Sequence, residues 1–342
     1  MSGTAAGAPA PRRVTVVGAG ALGCLYAARL SEAGVETWLL DHRAETVAAL
    51  RRRGIVLHER ERRRTVAVQA SADPGAVPPS GLALLLVKSP ALPAAAAATA
   101  RLLAPDGWAL PLQNGLGHAE TVAAAVGPHR TLRGITYAGS VRVARGEIRP
   151  VEDGPLLFGA FEADARSRAV SADAPPAASA ADTPPAAFAG VVAVLERAGL
   201  QPRVVADPGL AIWEKTAIAC SLNPLTALLR VRLGGISASP SASALARELI
   251  AEAVAVAAAA SVALDLDALL ERQARLCAQM GDTVPSMLQD VLAGRPTEVE
   301  GHNGALVALA DEHGVPVPAQ RGVLALMRAV EQSGAQRVAR SG

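Results

Sequence analysis

The stretch between Val14 and Leu30, VTVVGAGALGCLYAARL, constrains the fold of this chain more than any other. It begins as an apolar strand, turns through three glycines and continues with helical spacing. The glycines Gly18, Gly20 and Gly23 form the pattern G-x-G-x-x-G. Between a strand and a helix, this pattern predicts a site for the pyrophosphate of a dinucleotide. A glycine-rich turn without a ligand is the alternative.

Each glycine of this turn has its own physical role. Gly18 permits the tight turn, Gly20 lets a pyrophosphate approach the backbone because it has no Cβ, and Gly23 lets the helix pack closely on the strand. Ala21 and Leu22 begin the helix, where free N–H groups and a positive partial charge favour phosphates. These five residues form the predicted pyrophosphate site.

Strands and helices alternate along the first half of the chain. Apolar runs such as GLALLLVK are typical of parallel strands buried on both faces, and helical patterns separate them. Further along, the apolar spacing is helical only. We therefore predict a doubly wound Rossmann-type α/β domain over 13–206, an all-α domain over 207–335 and a disordered tail over 1–12. The Ala-, Pro- and Ser-rich stretch 162–185 is predicted to be a flexible insertion.

Two stretches depart from this alternation. Residues 141–161 place glycines between short apolar runs, which predicts antiparallel strands. The arginines of the stretch 51–64, RRRGIVLHERERRR, are interspersed with acids and a histidine, and they are predicted to form a solvated edge of the domain. A basic binding patch is the alternative for this second stretch.

The end of the second predicted strand, Leu40-Asp41-His42-Arg43, bears on the choice of cofactor. An acid at this point accepts hydrogen bonds from the ribose 2′-OH of NAD and repels a 2′-phosphate. An arginine pairs with the 2′-phosphate of NADP. Asp41 and Arg43 are both present, so this tetrapeptide leaves the choice between NAD and NADP open.

Two other strand ends carry residues with useful chemistry. Lys88 follows LLLV, and Asn114 follows LPLQ and precedes Gly115. Ligands of such sheets bind beyond the carboxyl ends of the strands, so both residues are candidates for contact with a cofactor or substrate. A merely exposed lysine and an ordinary Asn-Gly turn are the alternatives.

The helical stretch WEKTAIACSLNPLTALL contains a candidate acid. Lys215, Ala219 and Asn223 are spaced four residues apart, so they share one helix face. A lysine on such a helix is more often a surface residue whose stem covers apolar neighbours. If it is partly buried instead, its ammonium becomes a proton donor to a carbonyl oxygen.

Further candidates lie in PSMLQDVLAGRPTEVEGHNG, which supplies Ser286 and Glu298. Spacing alone does not distinguish a catalytic Glu298 from an acid at the start of a helix capped by Thr297, and both interpretations stay open.

Composition and charge bear on the class of protein. A formal net charge of +2 gives no indication of a nucleic-acid partner. The three cysteines, Cys24, Cys220 and Cys277, are widely spaced, and they form neither a metal-binding pattern nor a disulfide framework. No apolar run is long enough to span a bilayer. We therefore expect a cytoplasmic protein that acts on small molecules, without a metal, a nucleic acid or a membrane as partner.

Five segments follow one another along the chain: VVGAGALGCLYAARL, LLLVKSPAL, LPLQNGLG, WEKTAIACSLNPLTALL and SMLQDVLAGRPTEVEGHNG. Together, from about Val14 to Met327, they resemble the ketopantoate reductase (2-dehydropantoate 2-reductase) family. The resemblance implies a Rossmann-type domain followed by an all-α domain of the 6-phosphogluconate dehydrogenase C-terminal type. It also implies NADPH-linked reduction of a 2-oxo acid to a 2-hydroxy acid, with ketopantoate reduced to pantoate in pantothenate and coenzyme A biosynthesis.

The resemblance also assigns roles to individual residues. Lys215 matches the catalytic lysine, the general acid on the keto oxygen, and Glu298 matches the glutamate that binds the substrate hydroxyl and supports the lysine. Asn114 matches the asparagine that holds substrate and lysine near the nicotinamide. The other matches are a cofactor-side lysine at Lys88, an arginine near Arg43 that selects the 2′-phosphate, and substrate contacts at Asn223 and Ser286.

The chain departs from the family pattern at two substrate-contacting positions. Ala219 stands where the family usually has an asparagine, and Leu233 lies where an Asn-Gly pair is common. A paralogous reductase of a less polar 2-oxo acid is therefore the alternative function, and a non-catalytic nucleotide-binding sensor is the alternative from another class. Asp41 keeps NADH open as cofactor, and the Ala-rich helical domain permits a homodimer.

Overall fold

The computed structural model describes residues 10–59, 62–161 and 186–333. Residues 1–9 of the predicted tail and the whole predicted insertion 162–185 lie outside the described residues. The strands are β1 (Arg13–Val17), β2 (Glu36–Leu40), β3 (Ile55–Glu59), β4 (Arg62–Val66), β5 (Gln69–Ser71), β6 (Ser80–Leu85), β7 (Leu103–Pro111), β8 (Leu132–Thr136), β9 (Gly139–Ala144), β10 (Glu147–Glu152), β11 (Leu156–Ala160) and β12 (Pro202–Val204). The helices are α1 (Ala21–Glu32), α2 (Ala44–Arg53), α3 (Leu92–Leu102), α4 (His118–Val126), α5 (Ala189–Arg197), α6 (Gly209–Leu229), α7 (Gly234–Ser237), α8 (Pro240–Ala259), α9 (Leu266–Gln279), α10 (Ser286–Leu292), α11 (Ala305–His313) and α12 (Pro318–Gln332), with a π-helical turn at Glu300–Gly304.

Parallel strands form the central sheet, in the order β5-β2-β1-β6-β7. Val17, the last residue of β1, pairs with Leu40 of β2 and with Leu85 of β6, so these three strands end at the same level. The strand order reverses at β1, and sheets of this type bind ligands at that point. The predicted Rossmann-type α/β domain is confirmed, and its glycine turn follows β1 directly.

Two smaller sheets accompany the central one. One has the order β4-β3-β10-β9 and the other the order β12-β11-β8. The antiparallel pairs predicted for 141–161 are present as β9 with β10 and β11 with β8. The described arginines of the stretch 51–64 are exposed except Arg64, which is half-buried. Strand β3, between them, buries Ile55, Val56 and Leu57.

The helices from α6 onward pack around a second core of aliphatic side chains, which confirms the predicted all-α C-terminal fold. Helices α8 and α12 supply much of this core, including the fully buried Ala246, Leu249, Ile250 and Met327. No helix in the described residues is long and apolar enough to cross a membrane.

The chain forms two compact units. One holds the residues up to Gln113 and those from His118 to Gly209, and the other holds Asn114–Gly117 together with the residues from Leu210 onward. A short loop after β7 is thus part of the helical unit, although the sequence around it belongs to the α/β unit. The domain boundaries at 13–206 and 207–335 stay predictions from the sequence.

Candidate active site

The glycine turn after β1 leaves room where a dinucleotide would need it. Gly18 has a φ of +107°, and its N–H donates to the carbonyl of Leu40 at 2.8 Å. A Cβ on Gly23 would lie 1.9 Å from the carbonyl oxygen of Gly18, so α1 packs directly against the turn. A Cβ on Gly20 would meet nothing nearer than 3.9 Å. The backbone at Gly20 is therefore open to an approaching group.

The first turn of α1 is suited to an anion. Gly20 is its N-cap residue and provides no side-chain cap, and the first turn contains no acid. The first amides of a helix, here those of Ala21 and Leu22, have no intrahelical acceptor. Together with the helix dipole, these amides favour a phosphate group. The turn and the helix start therefore fit the pyrophosphate of a dinucleotide.

The contact between Gly23 and Gly18 leads to a first prediction. We expect Gly23→Ala to lower the free energy of unfolding by about 1–3 kcal/mol, because the added methyl group forces α1 away from the turn. The displaced helix should also weaken the binding of NADPH. Urea unfolding and fluorescence titration with NADPH measure the two effects.

Gly322 of α12 provides the matched control for this substitution. It is exposed, and a Cβ there would meet nothing within 4 Å. Gly322→Ala should raise stability by about 0.5–1 kcal/mol, since alanine favours the helix. Unchanged NADPH affinity in Gly23→Ala would contradict the role given to the turn.

Asp41 and Arg43 bind each other at the end of β2. Oδ1 of Asp41 accepts hydrogen bonds from the backbone N–H of Arg43 at 3.0 Å and from its Nε at 2.8 Å. Oδ2 accepts from Nη2 of Arg43 at 2.7 Å and from the N–H of Ala19 at 2.9 Å. This single carboxylate therefore ties the arginine to the glycine turn.

The hydrogen bonds of this pair keep the Asp41 carboxylate charged although it is buried. Asp41 is 4% exposed, and burial alone would raise the pKa of its carboxyl, but the hydrogen bonds from Arg43 and Ala19 outweigh burial and hold the pKa below its usual value. Four donated bonds occupy the acceptor positions of the carboxylate. On Arg43, which stays partly exposed, the bonds use Nε and Nη2 and leave Nη1 available to an anion.

Lys88 lies close to the glycine turn because β6, which precedes it, pairs with β1 in the sheet. The N–H of Leu86 donates to the carbonyl of Val17 at 2.8 Å, which joins the end of β6 to the end of β1. Val87 packs closely on Gly18. A Cβ added to Gly18 would lie 2.8 Å from Cγ1 of Val87. Lys88 comes next, half-buried and in an extended conformation. It extends the same edge of the sheet that carries Asp41 and Arg43.

In the helical unit, Lys215, Ala219 and Asn223 lie on α6. All three are half-buried, and the residues between them, such as Ala217 and Cys220, are buried in the helical core. The helix therefore presents one continuous face that carries an ammonium at one end and an amide at the other. Ala219 leaves the middle of this face apolar.

Two other segments of the helical unit meet at the π-helical turn. Leu116, in the loop that begins with Asn114, donates its N–H to the carbonyl of Gly301 at 3.3 Å. The carbonyl of Glu298 accepts from the N–H of His302 at 3.1 Å. The side-chain oxygen of Thr297 accepts a hydrogen bond from the N–H of Val299 at 3.2 Å, just before this turn begins. Asn114 and Glu298 thus lie on segments that are hydrogen-bonded to the same turn.

The last described helix, α12, anchors the segment that carries Glu298. Glu331 accepts a hydrogen bond from the N–H of Thr297 at 2.7 Å. Arg328 makes a bidentate pair with Glu300, with distances of 2.7 and 2.8 Å. The segment is therefore held on both sides of Glu298.

Ser286 is placed differently from the other predicted substrate contacts. It is the exposed first residue of α10. Sequence reasoning also missed the amide of Ala19 as a partner of Asp41. No local pattern reveals that bond, because the two residues are joined only by the fold.

The three cysteines are buried thiols of low reactivity. Burial raises the pKa of Cys24 to about 12, and burial also raises the pKa of Cys220 and of Cys277. All three side chains are buried. Thiols protonated to this extent do not act as nucleophiles at neutral pH. The cysteines are therefore not candidates for a nucleophile.

Known proteins resemble this chain over both units. A family described as "Ketopantoate reductase PanE/ApbA" matches residues 14–163, and its C-terminal part matches residues 209–331. The 2-dehydropantoate 2-reductase of Halobacterium salinarum is 30% identical over 324 residues, which cover 94% of this chain and 100% of that protein. The enzyme of the same name from Pyrococcus horikoshii is 26% identical over 322 residues, which cover 94% of this chain and 98% of that protein.

Solved structures show the same architecture. A PanE/ApbA family ketopantoate reductase from Ralstonia eutropha has a TM-score of 0.82 and 28% identity, with 94% of this chain and 99% of that chain covered. D-mandelate dehydrogenase, in complex with NADH and anilino(oxo)acetate, has a TM-score of 0.84 at 21% identity, with 94% and 99% covered, and shares the fold. By its sequence over both units and by its fold, this chain belongs to the ketopantoate reductase family.

Proposed function

We propose that this protein uses NADPH to reduce a 2-oxo acid to a 2-hydroxy acid, with 2-dehydropantoate as substrate and pantoate as product. The family consists of pyridine-nucleotide-dependent oxidoreductases that act on the CH–OH group. Relatives that match almost the whole chain are named for this reaction. The same activity is expected of the site described above.

The use of lysine supports the proposal most directly. The chain has 33 basic residues, and Lys88 and Lys215 are the only lysines among them. A guanidinium is effectively always protonated and does not give up a proton at neutral pH, whereas an ammonium does. Lys215 therefore places a group that can give up a proton on the polar face of α6. The proposed reduction needs a proton donor, and we assign that role to Lys215.

The reaction adds a hydride and a proton across the C2 carbonyl group. NADPH held at the glycine turn and the start of α1 would supply the hydride for C2. Lys215 donates a hydrogen bond to the carbonyl oxygen, stabilises the negative charge that develops there and transfers a proton to it. The lysine is left as a neutral amine and regains its proton from solvent. General acid catalysis of this kind contributes about 10²–10⁴-fold.

The other site residues bind and orient the substrate. Glu298 accepts a hydrogen bond from the substrate hydroxyl and supports Lys215, as the family resemblance implies. Asn114 and Asn223 provide amide donors and acceptors, and Ser286 a hydroxyl, for the carboxylate and the hydroxyl of the substrate. Ala219 contributes an apolar contact. None of these roles requires a metal ion.

The Asp41–Arg43 pair supports NADPH over NADH. To accept a ribose 2′-OH, Asp41 would have to give up one of its four hydrogen bonds. A 2′-phosphate can instead bind the remaining N–H groups of Arg43 and leave the pair intact. Lys88 adds a second positive charge at this edge of the sheet. We infer NADPH as the preferred cofactor.

The experiment that tests the proposal follows NADPH and NADH oxidation with a panel of 2-oxo acids. The panel pairs ketopantoate with 3,3-dimethyl-2-oxobutanoate, which has the same skeleton without the hydroxyl group. We expect the highest kcat/KM with NADPH and ketopantoate. A preference for the compound without the hydroxyl would indicate the paralogous reductase suggested by Ala219. NADPH binding without turnover of any 2-oxo acid would contradict the proposal and indicate a sensor.

The homodimer and the cytoplasmic location stay predictions from the sequence.

A further inference from the structure

A proline interrupts the backbone hydrogen bonds of α6. Pro224 lies inside this helix and has no N–H. In an α-helix, the N–H of residue 224 would donate to the carbonyl of residue 220. The carbonyl of Cys220 therefore lacks the usual partner within its own helix. A buried carbonyl in this situation needs a donor from elsewhere.

Asn303 supplies that donor from the π-helical turn. Its Nδ2 donates to the carbonyl of Cys220 at 2.8 Å and to Oε1 of Gln320 at 2.7 Å. Gln320 in turn donates from Nε2 to the carbonyl of Leu249 at 2.8 Å. Asn303 and Gln320 are both 0% exposed. A buried chain of hydrogen bonds thus runs from α6 through the π-helical turn to α12 and α8.

The place of Asn303 in the chain gives this bond its significance. The segment that carries Glu298 leads directly into the π-helical turn, and the loop that carries Asn114 is bonded to Gly301 of the same turn. The helix that receives the bond carries Lys215 on the turns before Cys220. Three segments with proposed site residues are therefore joined through one turn, and Asn303 makes the connection to α6.

We propose that Asn303 is a positioning residue, which fixes the segment of Glu298 and the loop of Asn114 against the helix of Lys215 through the carbonyl that Pro224 leaves open. The inference rests on the proposed function, because it takes Lys215 and Glu298 as site residues. A primary amide suits the task, since one nitrogen donates to two acceptors at once. π-Helical turns of this kind are frequent at functional sites.

The proline provides a direct way to test the idea. Asn303→Leu keeps the approximate size of the side chain and removes both donated bonds. Pro224→Ala restores a backbone N–H that can bond Cys220 within the helix. If Asn303 is needed because Pro224 leaves the carbonyl of Cys220 without a donor, the loss of activity on replacing Asn303 should be much smaller when residue 224 is alanine.

We expect Asn303→Leu to lower kcat by about 10- to 100-fold, because small displacements of catalytic groups have effects of this size. The dissociation constant of NADPH should not change, since Asn303 lies outside the unit that carries the glycine turn. The double variant with Pro224→Ala should regain most of the lost kcat. Amide hydrogen exchange of residues 297–304 should be faster in Asn303→Leu and slower again in the double variant.

Ser221→Ala is the matched control. Ser221 is also 0% exposed on α6 and donates to the carbonyl of Ala246 at 3.1 Å, but it makes no described bond to the π-helical turn. A fall in kcat no larger in Asn303→Leu than in Ser221→Ala would overturn the inference, as would a double variant no more active than Asn303→Leu. If Asn303→Leu does not fold, a folded and active double variant supports the inference and an unfolded one overturns it.

The two proposals fail in different ways. Lys215→Ala with an undiminished reductase rate would remove the proposed function, whatever Asn303 does. An inactive Lys215→Ala together with an Asn303→Leu variant that behaves like Ser221→Ala would remove only the positioning role.

Discussion

Replacing Lys215 with alanine is expected to slow the reduction of the 2-oxo acid by about 10²–10⁴-fold in kcat, the contribution of a general acid. The binding of NADPH should be unchanged, because the glycine turn and the Asp41–Arg43 pair belong to the other unit. Stopped-flow measurement of NADPH oxidation in a single turnover reports the chemical step directly. The same samples titrated with NADPH verify that the nucleotide site is intact.

Arginine substitutions at the two lysines separate proton transfer from charge. Lys215→Arg keeps a positive charge but offers no proton at neutral pH, so we expect it to be nearly as slow as Lys215→Ala. Lys88→Arg, the matched control, should retain most of the activity, because only a positive charge is required there. A Lys215→Arg variant with the wild-type kcat would show that the residue acts only through its charge.

The scarcity of lysine also allows a measurement that does not depend on turnover. Labelling with [¹⁵N]lysine produces side-chain signals from two residues only. The signal that disappears in Lys215→Ala is assigned to Lys215. It should shift when ketopantoate binds to the complex with NADP⁺, whereas the signal of Lys88 should shift when the nucleotide binds. A Lys215 signal whose chemical shift does not change when ketopantoate binds would contradict contact between Lys215 and the substrate.

The second large effect is expected at Arg43. Hydrogen bonds to charged groups contribute about 1.5–3 kcal/mol, so Arg43→Gln should lower kcat/KM for NADPH by about 10- to 100-fold. The value for NADH should hold or rise, because the loss of Nε and Nη2 opens acceptor positions on Asp41 for ribose hydroxyls. Initial rates with both cofactors, at a fixed concentration of ketopantoate, measure the change in preference.

Arg52 provides the control for this substitution. It lies exposed on α2, in the helix that follows Arg43, so Arg52→Gln changes the charge of the region without touching the pair. Its cofactor preference should match that of the wild type. Equal losses with NADPH and NADH in Arg43→Gln would mean that the arginine only supports the fold around Asp41.

Much of the architecture was predictable because it depends on local patterns. The glycine spacing after an apolar strand and the apolar runs of buried strands both reflect contacts between near neighbours in sequence. The four-residue spacing of Lys215, Ala219 and Asn223 likewise placed them on one helix face, and the structure makes all three half-buried. The roles of these side chains in catalysis stay proposals.

The features that escaped prediction depend on contacts between distant parts of the chain. The tetrapeptide around Asp41 did not reveal that its carboxylate would be occupied by Arg43 and Ala19, since that depends on which way each side chain turns. Similarly, Asn303 bonds a carbonyl 83 residues away. One local signal was available, because a proline inside a helical pattern always leaves a carbonyl that requires a donor.

The dependence of Glu298 on α12 has a consequence for how relatives of this protein are recognised. A gene that stops before Pro318 would still encode Asn114, Lys215, Asn223, Ser286 and Glu298. It would lack Gln320, Arg328 and Glu331, which hold the segment around Glu298. Such a shortened homologue would show the same motifs and lack these contacts from α12. Transfer of function between relatives should therefore require an intact final helix as well as matching site residues.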